Sequence, residues 1–543
     1  MLEHDTLAVL ASGTGKTLIY HVAAKLLPGP TLVISPTIAL QHDQLRALRA
    51  GGAGAALLNG QLTAGQRRAA LADFTAGKIE FLLLAPEQLA NDDVVAELRT
   101  AGISLVVIDE AHCVSDWGHD FRPDYLALAS AFRTLGGPRV LALTATASPR
   151  VRAEIIERLG MHDPVVVVRG ADRPNIWLGV DLVGSENAKR VMLVQEVRSA
   201  VLGPGASTDQ IITGDLADRA PVPDFAEPPP ISHGGPGIVY AATHRQCDEL
   251  TALLNDCGVT AVRYHGGLST SERTEAQAAF MSGQVPVIVA TSAFGMGVDK
   301  PDVRFVFHTE PPDSLDAYYQ EIGRAGRDGE PARGVLLYLP SDLRLPRFFA
   351  SGGGPDEAAL AAVLETVRST GPLTAGALAE QTGLSRQRTT TVVNMLEGLG
   401  ALRRRRDRRV AAAPAYRDVP ASAAGALAVE LRERQRQYAI SAVEMMRTYA
   451  ETGDCRRRIV IELLGEGHPQ RCGYCDCCDR GASTQLVDGR PFPLGQQVRH
   501  PEWGTGTVTT YADDDRVVVL FDQVGYKMLA LPVVTAQNLL TPA

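Results

Sequence analysis

The sequence predicts an α/β fold of two lobes with parallel sheets, followed by a winged helix, a cysteine-containing helical module and a small β-barrel. Three observations support this prediction. Short apolar runs such as TLVIS, SLVVIDE and VPVIVAT recur through the first 340 residues and alternate with amphipathic helical stretches, a pattern typical of parallel sheets covered on both faces. From Asp356 the pattern becomes helical and leads to a cysteine cluster. The last fifty residues alternate like short strands with glycine turns, which indicates a small barrel.

The composition is that of a soluble, globular protein of several domains, since 45% of the 543 residues are hydrophobic and 21% are charged. No apolar run approaches the ~18 residues that a membrane span needs, and the acidic start MLEHD is unlike a signal peptide. Eight cysteines, four of them between Cys472 and Cys478, indicate metal binding in a reducing compartment rather than a disulfide scaffold. We therefore expect a cytoplasmic protein that has no membrane partner.

The charge gives no clear indication of a nucleic-acid partner. The net charge is -9, although local fields rather than the average decide such binding. Only six of the 53 basic residues are lysines, and the chain is rich in alanine and glycine. This compositional bias makes a run of arginines weaker support for nucleic-acid binding than it would otherwise be.

The predicted strands are too many for one sheet, so the chain is divided into units. We assign residues 1–179 to a first lobe and 180–345 to a second, meeting near DRPNIWLGVDL (residues 172–182). Residues 203–237 are rich in proline and glycine and are expected to form a disordered insertion in the second lobe. The winged helix is assigned to 356–414, with Gly383 ending one helix and Ser385 capping the next. The cysteine-containing module is assigned to 420–480, with a long helix around 425–450, and the barrel to 490–543.

The first chemical motif is a glycine-rich loop between an apolar strand and a helix, comprising Ser12, Gly13, Thr14, Gly15, Lys16 and Thr17. In this context the backbone N–H groups and the helix N-terminus would contact nucleotide phosphates. Lys16 would neutralise the β and γ oxygens, and the Thr17 hydroxyl would hold Mg²⁺. Leu10 stands where the long pattern has its first glycine, so a chance glycine turn is the alternative for this loop taken alone.

The second motif, LVVIDEAH, puts two acids at the carboxyl end of a buried strand, where ligands bind in such sheets. Asp109 is suited to Mg²⁺, directly or through water, and Glu110 to positioning and deprotonating an attacking water. His112 would couple the nucleotide state to the rest of the lobe. A solvated strand end is the alternative, but the phosphate loop argues against it.

The second lobe carries YYQEIGRAGRDG, in which Gln320, Arg324 and Arg327 would reach across a cleft to the γ-phosphate. Arg327 would be the arginine finger that stabilises charge in the transition state. Gly297 and Asp299, in TSAFGMGVDKPDV, are expected near the ribose. The alternative is a cluster of surface salt bridges. A site divided between two lobes makes closure depend on ATP and converts hydrolysis into motion.

Six blocks together resemble RecQ-family DNA helicases of superfamily 2, in order and spacing: SPTIALQHDQ, DEAHCVSDWGHDFRPDY, LALTATA, DRPNI, ATSAFGMGVDKPDV and QEIGRAGRDG. The resemblance covers roughly residues 5–340 and the cysteine segment. It implies two RecA-like lobes, ATP and Mg²⁺ as ligands, and a 3′ to 5′ helicase that acts on single-stranded and forked DNA in repair or recombination, associated with the bacterial nucleoid.

The loop of residues 117–123 is the most specific part of the resemblance, and in the family it senses single-stranded DNA. Trp117 and Phe121 would stack on bases at ~1–3 kcal/mol each, and His119 and Arg122 would contact the strand. A core-packed aromatic pair is the alternative. Asp116 replaces the glutamine usual in the family and would place negative charge near the DNA.

The resemblance also implies a structural Zn²⁺ site. Cys455, Cys472, Cys475 and Cys478 match the family's ligands, one cysteine followed after a gap by CxxCxxC, and four thiolates make a closed tetrahedral site. Cys477 is treated as a spare thiol.

The C-terminal half departs from the family order, because the winged helix precedes the zinc cysteines. Arg386 and Arg388 would enter a DNA groove, and Arg404 and Arg405 of the wing would grip phosphates, with a solvated charged turn as the alternative.

The barrel resembles the Tudor-like module that ends UvrD-type repair helicases. A protein partner, such as RNA polymerase or a repair protein, is expected there, with Trp503 either an exposed anchor or a packed barrel residue.

The start of the chain raises a second hypothesis. In the family a segment before the phosphate loop contacts adenine, and nothing in residues 1–5 matches it. We expect a missing upstream segment, weak ATP affinity and poor adenine selectivity. The leading interpretation is thus a DNA-stimulated ATPase and helicase. The alternatives are an ATPase-impaired DNA-binding scaffold that recruits partners, and an RNA helicase, which the WGHDFRP loop disfavours.

Overall fold

The computed structural model describes residues 4–11, 14–89, 91–115, 122–203, 234–295, 299–351, 354–405, 407, 409–467, 471–482, 490–512 and 515–543. No helix within these ranges is both long and apolar enough to cross a membrane. The predicted fold class is confirmed. Two separate parallel sheets are followed by a helical region with a small antiparallel sheet and a cysteine cluster, and then by an antiparallel sheet at the C-terminus.

The first lobe is built on a seven-stranded parallel sheet. Its strands are β1 (Thr6–Leu10), β2 (Thr31–Ile34), β3 (Ala55–Leu58), β4 (Phe81–Leu84), β5 (Leu105–Ile108), β6 (Arg139–Thr144) and β7 (Val165–Arg169). Their order is β3-β4-β2-β5-β6-β1-β7. The helices are α1 (Lys16–Leu26), α2 (Ile38–Ala50), α3 (Ala64–Thr75), α4 (Asp92–Arg99), α5 (Leu128–Thr134) and α6 (Pro149–Leu159). Along β5, Val106 and Ile108 enter the core on one face and Leu105 and Val107 the core on the other, which explains why this strand is apolar at every position.

The second lobe contains a six-stranded parallel sheet. Its strands are β8 (Ile176–Leu182), β9 (Gly237–Tyr240), β10 (Ala261–Tyr264), β11 (Val287–Ala290), β12 (Phe305–His308) and β13 (Ala332–Tyr338), in the order β10-β11-β9-β12-β13-β8. The helices are α7 (Glu186–Leu202), α8 (His244–Asp256), α9 (Thr270–Met281), α10 (Leu315–Ile322) and α11 (Arg344–Ser351). Residues 204–233, most of the predicted insertion, lie outside the described residues.

The boundary between the lobes differs from the predicted one at residues 179 and 180. Strand β8 pairs along its whole length with β13, from Ile176 opposite Ala332 to Leu182 opposite Tyr338. Residues 176–182 therefore belong to the second sheet, and the segment 170–175 connects the two sheets. An apolar edge strand and a linker that enters it look alike in sequence, so only the pairing locates this boundary.

The helical region between residues 356 and 414 contains α12 (Glu357–Thr370), β14 (Leu373–Thr374), α13 (Ala375–Thr382), α14 (Arg386–Gly398), β15 (Leu402–Arg404) and β16 (Arg409–Ala412). The strands form an antiparallel sheet in the order β14-β16-β15. Gly383 follows α13 with a φ of 69°, and the Ser385 hydroxyl accepts a hydrogen bond from the Arg388 N–H at 3.3 Å. These two turn residues place α14 against the wing formed by β15 and β16.

The C-terminal part contains α15 (Ala421–Glu451), α16 (Arg456–Leu463), α17 (Asp476–Asp479), β17 (Gln497–His500), β18 (Gly504–Ala512), β19 (Arg516–Phe521), β20 (Gly525–Ala530), α18 (Leu531–Gln537) and β21 (Thr541–Pro542). Helix α15 joins two cores. Ala424 and Ala428 pack with the winged helix, whereas Met446 and Tyr449 pack with the second lobe.

The five C-terminal strands form an antiparallel sheet in the order β20-β19-β18-β17-β21, and this sheet packs on its neighbours. The Tyr526 N–H donates to the Ser441 hydroxyl of α15 at 2.9 Å, and Arg150 of α6 donates to Asp522 at 2.8 Å. Trp503 is half-buried and stacks on His500, with ring centroids 4.1 Å apart. The tryptophan is therefore partly packed into the barrel rather than fully exposed.

Candidate functional site

The phosphate loop connects β1 to α1. Ser12 and Gly13 lie outside the described residues. Thr14 closes a turn, because its hydroxyl donates to the Ala11 carbonyl at 2.8 Å, and Gly15 precedes the helix in the left-handed region at φ 79°. A β-carbon is disfavoured at that φ, which accounts for the glycine. Lys16 and Thr17 are the first residues of α1, where unpaired backbone N–H groups and the helix dipole favour an anion.

The two acids follow β5, beside the loop. The Asp109 N–H donates to the Ile34 carbonyl at the end of β2 at 2.9 Å, and the Asp109 carboxylate accepts from Gln44 Nε2 at 2.5 Å. Burial, and then the charge of Glu110, raise the pKa of Asp109 to about 6, while Lys16 and Gln44 lower it. A bound cation would stabilise the charged form of this buried carboxylate, and carboxylate oxygens are suitable ligands for Mg²⁺.

Glu110 and His112 form a linked pair. Glu110 has a φ of 50°, the left-handed region, which is uncommon for a residue that carries a β-carbon. His112 Nδ1 lies 3.3 Å from Glu110 Oε2 and 3.0 Å from Thr144 Oγ1 at the end of β6. Burial lowers the pKa of His112, but Cys113 and Glu110 outweigh burial and raise it to about 10. His112 therefore connects Glu110 to the segment that begins at Thr144, and its raised pKa favours the charged form of the imidazole.

The second lobe presents its arginines from the loop that follows α10. Arg324 is buried and donates to the Gly295 carbonyl, and Arg327 Nη1 donates to Asp299 Oδ1 at 2.7 Å. Burial, followed by Arg324, lowers the pKa of Arg327, whereas Asp299 and Glu110 raise it. Glu110 belongs to the first lobe, so its charge acts on the predicted finger of the second lobe. Gly297 lies outside the described residues.

A narrow cleft continues from these residues between the lobes. It is lined by Ala11, Ala145, Thr146, Ala171, Arg173, Tyr319, Gln320 and Gly323. Ala11 belongs to the phosphate loop, and Gln320 to α10. The structure thus brings the predicted glutamine of the second lobe to the phosphate-binding edge of the first.

Three residues of this site had no role in the sequence-based prediction. Gln44 holds Asp109, and Arg173 and Asn175 hold the loop that carries the arginines, with Arg173 Nη2 donating to the Ala325 and Gly326 carbonyls at 2.8 Å. Gln44 lies in SPTIALQHDQ, and Arg173 and Asn175 lie in DRPNI. Both segments belong to the blocks that carry the family resemblance, and this was the signal that could have identified the three residues.

The predicted DNA-sensing loop is mostly outside the described residues, including Trp117, His119 and Phe121. Arg122 is described, and its Nη1 donates to the Pro36 carbonyl at 2.7 Å. Its guanidinium therefore contacts the first lobe. Asp124, two residues further on, is exposed and lies near enough to Arg404 of the wing for their charges to attract each other. Arg404 therefore lies near residue 124, just after the predicted sensing loop.

The predicted DNA-contacting arginines of the winged helix differ in their surroundings. Arg386 and Arg405 are exposed. Arg388 Nη2 lies 3.0 Å from Asp356 Oδ2, an exposed pair. Arg404 is engaged by Glu397, donating through Nε at 3.1 Å and Nη2 at 2.8 Å. Exposed charge on α14 and the wing is compatible with a phosphate-binding face, but Arg404 already has a carboxylate partner.

The four predicted metal ligands come together. The Sγ atoms of Cys455, Cys472, Cys475 and Cys478 all lie within 4.8 Å of one another, and those of Cys472 and Cys478 are 3.8 Å apart. Tetrahedral thiolates around Zn²⁺ would be separated by about 3.8 Å, given a Zn–S bond of ~2.3 Å. The donor set therefore fits zinc. Cys477 Sγ lies 3.6 Å from the Thr452 carbonyl instead.

Comparisons with known proteins agree with this arrangement. Family models match for the DEAD/DEAH box helicase (residues 1–155), the helicase conserved C-terminal domain (230–329) and the RecQ zinc-binding domain (420–479). The chain is 35% identical over 502 residues to the ATP-dependent DNA helicase RecQ of Bacillus subtilis, covering 92% of this chain and 66% of that one. It is 38% identical over 343 residues to the probable ATP-dependent DNA helicase RecS of the same organism, covering 63% and 62%. It is also 38% identical over 347 residues to the ATP-dependent DNA helicase Q5 of Rattus norvegicus, covering 63% and 33%.

The chain therefore spans between one third and two thirds of the length of these relatives. The three family models nevertheless occur together in this one chain. The chain belongs to the RecQ family of superfamily 2 helicases.

Proposed function

We propose that the chain is an ATP-dependent DNA helicase that couples ATP hydrolysis to 3′ to 5′ movement along single-stranded DNA, acting on forked DNA in repair or recombination. The observation that carries the proposal is the cleft between the lobes, which is lined by Ala11 at the start of the phosphate loop and by Gln320 and Gly323 of the second lobe. Residues of both lobes therefore line one cleft, as a composite ATPase site requires. ATP binding would draw the lobes together, and hydrolysis would release them.

The residues of the cleft divide the work of hydrolysis. The N-terminus of α1 and Lys16 bind the phosphates, and Thr17 and Asp109 would hold Mg²⁺, which neutralises charge on the β- and γ-oxygens. Glu110 orients the attacking water and accepts its proton. His112, 3.3 Å away, keeps the Glu110 carboxylate in place and links it to Thr144. Arg327, supported by Arg324 and Gln320, stabilises negative charge in the transition state.

DNA contacts follow from the family resemblance and from the exposed basic face. The loop of residues 117–122 would bind the single strand, and α14 and the wing would bind the adjoining duplex. The zinc site would fasten α15 and α16 and take no part in the chemistry. We further propose that the C-terminal barrel binds a protein partner, such as RNA polymerase or a repair protein, and that the protein acts at the bacterial nucleoid.

The test compares unwinding by the parent chain with unwinding by Lys16→Ala and Arg327→Ala. A 3′-tailed duplex should be unwound with ATP and a 5′-tailed one should not. Arg327→Ala should lower DNA-stimulated hydrolysis by about 10³-fold or more, the effect typical of an arginine finger. Arg46→Ala is the matched control, because that side chain is 80% exposed and forms an ion pair with neighbouring Asp43 on the same helix.

The alternative of an ATPase-impaired scaffold makes a different prediction. A scaffold would bind DNA but would not unwind it, and Lys16→Ala would change nothing. No observation on the described residues favours this alternative. Hydrolysis by the parent chain that is insensitive to both substitutions would contradict the proposed site itself.

A further inference from the structure

The connection between the lobes is held by a buried arginine of the cysteine module. Arg457 is the second residue of α16, and its side chain is 2% exposed. Its Nη1 donates to Asp172 Oδ1 and to the Arg173 carbonyl, both at 2.6 Å, and its Nη2 donates to the Ile176 carbonyl at 2.5 Å. One guanidinium thus contacts residues 172, 173 and 176, in the segment that leads from the first sheet into β8.

The same segment holds the loop that carries the arginine finger. Arg173 donates to the carbonyls of Gly323 at 2.9 Å and of Ala325 and Gly326 at 2.8 Å. Asn175 Nδ2 donates to the Gly326 carbonyl at 2.8 Å and to the Glu330 carbonyl at 2.9 Å. The packing is tight, since a β-carbon on Gly326 would collide with Asn175 Nδ2.

The loop in turn determines where Arg327 points. Gly326 has a φ of +56°, which turns the chain immediately before Arg327. Arg327 is 11% exposed and makes its ion pair with Asp299 at 2.7 Å. Each of these links consists of charge-assisted or multiple hydrogen bonds, so we expect a displacement of Arg457 to displace the loop that carries Arg327.

A second contact between α16 and the connection restrains it on the other side. Glu466, just after α16, accepts from the Ala171 N–H at 3.2 Å, and the Ala171 carbonyl accepts from the Tyr319 hydroxyl of α10 at 2.7 Å. Residues 171–176 are therefore contacted from both ends of α16, by Arg457 at its start and by Glu466 just after its end. The cysteine cluster starts at Cys455, two residues before Arg457, so it anchors the end of the helix that makes the grip.

We propose that Arg457 is a positioning residue for ATP hydrolysis: through Asp172 and the Arg173–Asn175 segment it holds the loop of residues 323–330 so that Arg327 reaches the γ-phosphate. This inference rests on the proposed ATPase function. It assigns to the cysteine module an effect on the chemical step, in addition to holding helices together. We expect the effect mainly in kcat, because Arg327 acts on charge that develops in the transition state, whereas the phosphate loop of the first lobe is left unchanged.

The test measures DNA-stimulated hydrolysis by Arg457→Lys and Asp172→Asn. Lysine keeps the positive charge of Arg457 but cannot bind several oxygens through a planar guanidinium. Asp172→Asn removes the negative charge of the same ion pair at its more exposed partner. Both should lower kcat by about 10- to 100-fold, as expected when a catalytic group is displaced, while the KM for ATP stays within about threefold of the parent value. Arg490→Met is the matched control, since Arg490 pairs with Glu462 of α16 from the barrel side, at 3.3 Å.

A double-mutant cycle with Arg327→Ala separates positioning from general destabilisation. If Arg457 acts through the finger, Arg457→Lys should have almost no further effect on kcat once Arg327 is alanine. Independent, multiplicative losses would overturn the inference, as would an unchanged kcat in a stably folded Asp172→Asn protein. If Arg457→Lys does not fold, Asp172→Asn carries the cycle. A parent chain that does not hydrolyse ATP, or whose hydrolysis is insensitive to Arg327→Ala, would instead refute the proposed function.

Discussion

Two runs of arginine look alike in the sequence and differ completely in the structure. The run 456–458 follows Cys455 of the cysteine cluster, and its side chains are 2–3% exposed. The run 403–409 contributes Arg404 and Arg409 to the two strands of the wing, and these side chains are 51% and 55% exposed. The first run consists of charges that hold three segments together, and the second offers charge to solvent or to a ligand.

The two runs differ because a charge that is buried needs compensating partners inside the protein. Arg456 binds both oxygens of Asp476, Arg457 binds Asp172, and Arg458 pairs with Asp454. A buried guanidinium is tolerated only with such partners, because desolvation would otherwise cost several kcal/mol. In the wing, water supplies the solvation and the pairs contribute little. Substitutions in the two runs should therefore differ in their effects on stability and on DNA binding.

Breaking a buried pair should have the largest effect. Arg456→Met leaves Asp476, which is 5% exposed, with less compensation, and should lower the free energy of unfolding by about 3–5 kcal/mol. Arg403→Met in the exposed wing should change it by no more than about 0.5 kcal/mol. Urea unfolding of both variants measures the difference. A cost below about 1 kcal/mol for Arg456→Met would mean that burial does not distinguish the two runs.

Removing a buried charge that has weaker compensation should raise the free energy of unfolding instead of lowering it. The pKa of Asp109 is raised from 3.8 to about 6, so the folded state binds the proton more tightly and the carboxylate destabilises the fold as pH rises through this interval. Asp109→Asn should therefore stabilise the nucleotide-free protein by up to ~3 kcal/mol at pH 8 and by almost nothing at pH 4, while ATP hydrolysis is lost. Denaturation at both pH values measures this.

The control for that prediction is Asp73→Asn, a side chain that is 47% exposed. It should show no comparable gain at pH 8. A stabilisation by Asp109→Asn that is equal at pH 4 and pH 8 would show that the gain does not come from removing the buried charge.

The exposed run should affect DNA binding and leave stability unchanged. Replacing both Arg403 and Arg405 by alanine should make the dependence of log affinity on log salt concentration less steep, by roughly 0.9 for each duplex phosphate that the variant no longer neutralises. Fluorescence anisotropy at several salt concentrations gives this slope. An unchanged slope would indicate that the wing is a solvated turn rather than a phosphate grip.

Within the wing, Arg404 should have the smallest effect. Glu397, which is 12% exposed, occupies its guanidinium through two nitrogen atoms. Arg404→Ala should therefore change the salt slope less than Arg405→Ala does. Glu397→Gln should release Arg404 and steepen the slope, and this outcome can be measured in the same titration. Equal slopes for the Arg404 and Arg405 variants would show that the ion pair opens when DNA binds.

Much of the chemistry was predictable from local patterns. A glycine loop between a strand and a helix, two acids at a strand end and the spacing of four cysteines each combine residue types with a local geometry that few other functions use. The arrangement of the described residues is compatible with the roles predicted for Lys16, Asp109, Glu110 and the four cysteines. Capping at Ser385 and the turn at Gly383 were predictable for the same reason, because caps depend on neighbouring residues.

The chemical groups and the α/β class that holds them follow from local composition and periodicity, and both can therefore be predicted from the chain. Which arginines are buried, where the first lobe ends and which residues hold the loop of Arg327 depend on contacts between distant segments. Arg457 and Asp172 are separated by 285 positions in the chain, and Gln44 and Asp109 by 65. Such pairings depend on how sheets and helices pack, and no local pattern in the chain carries that information.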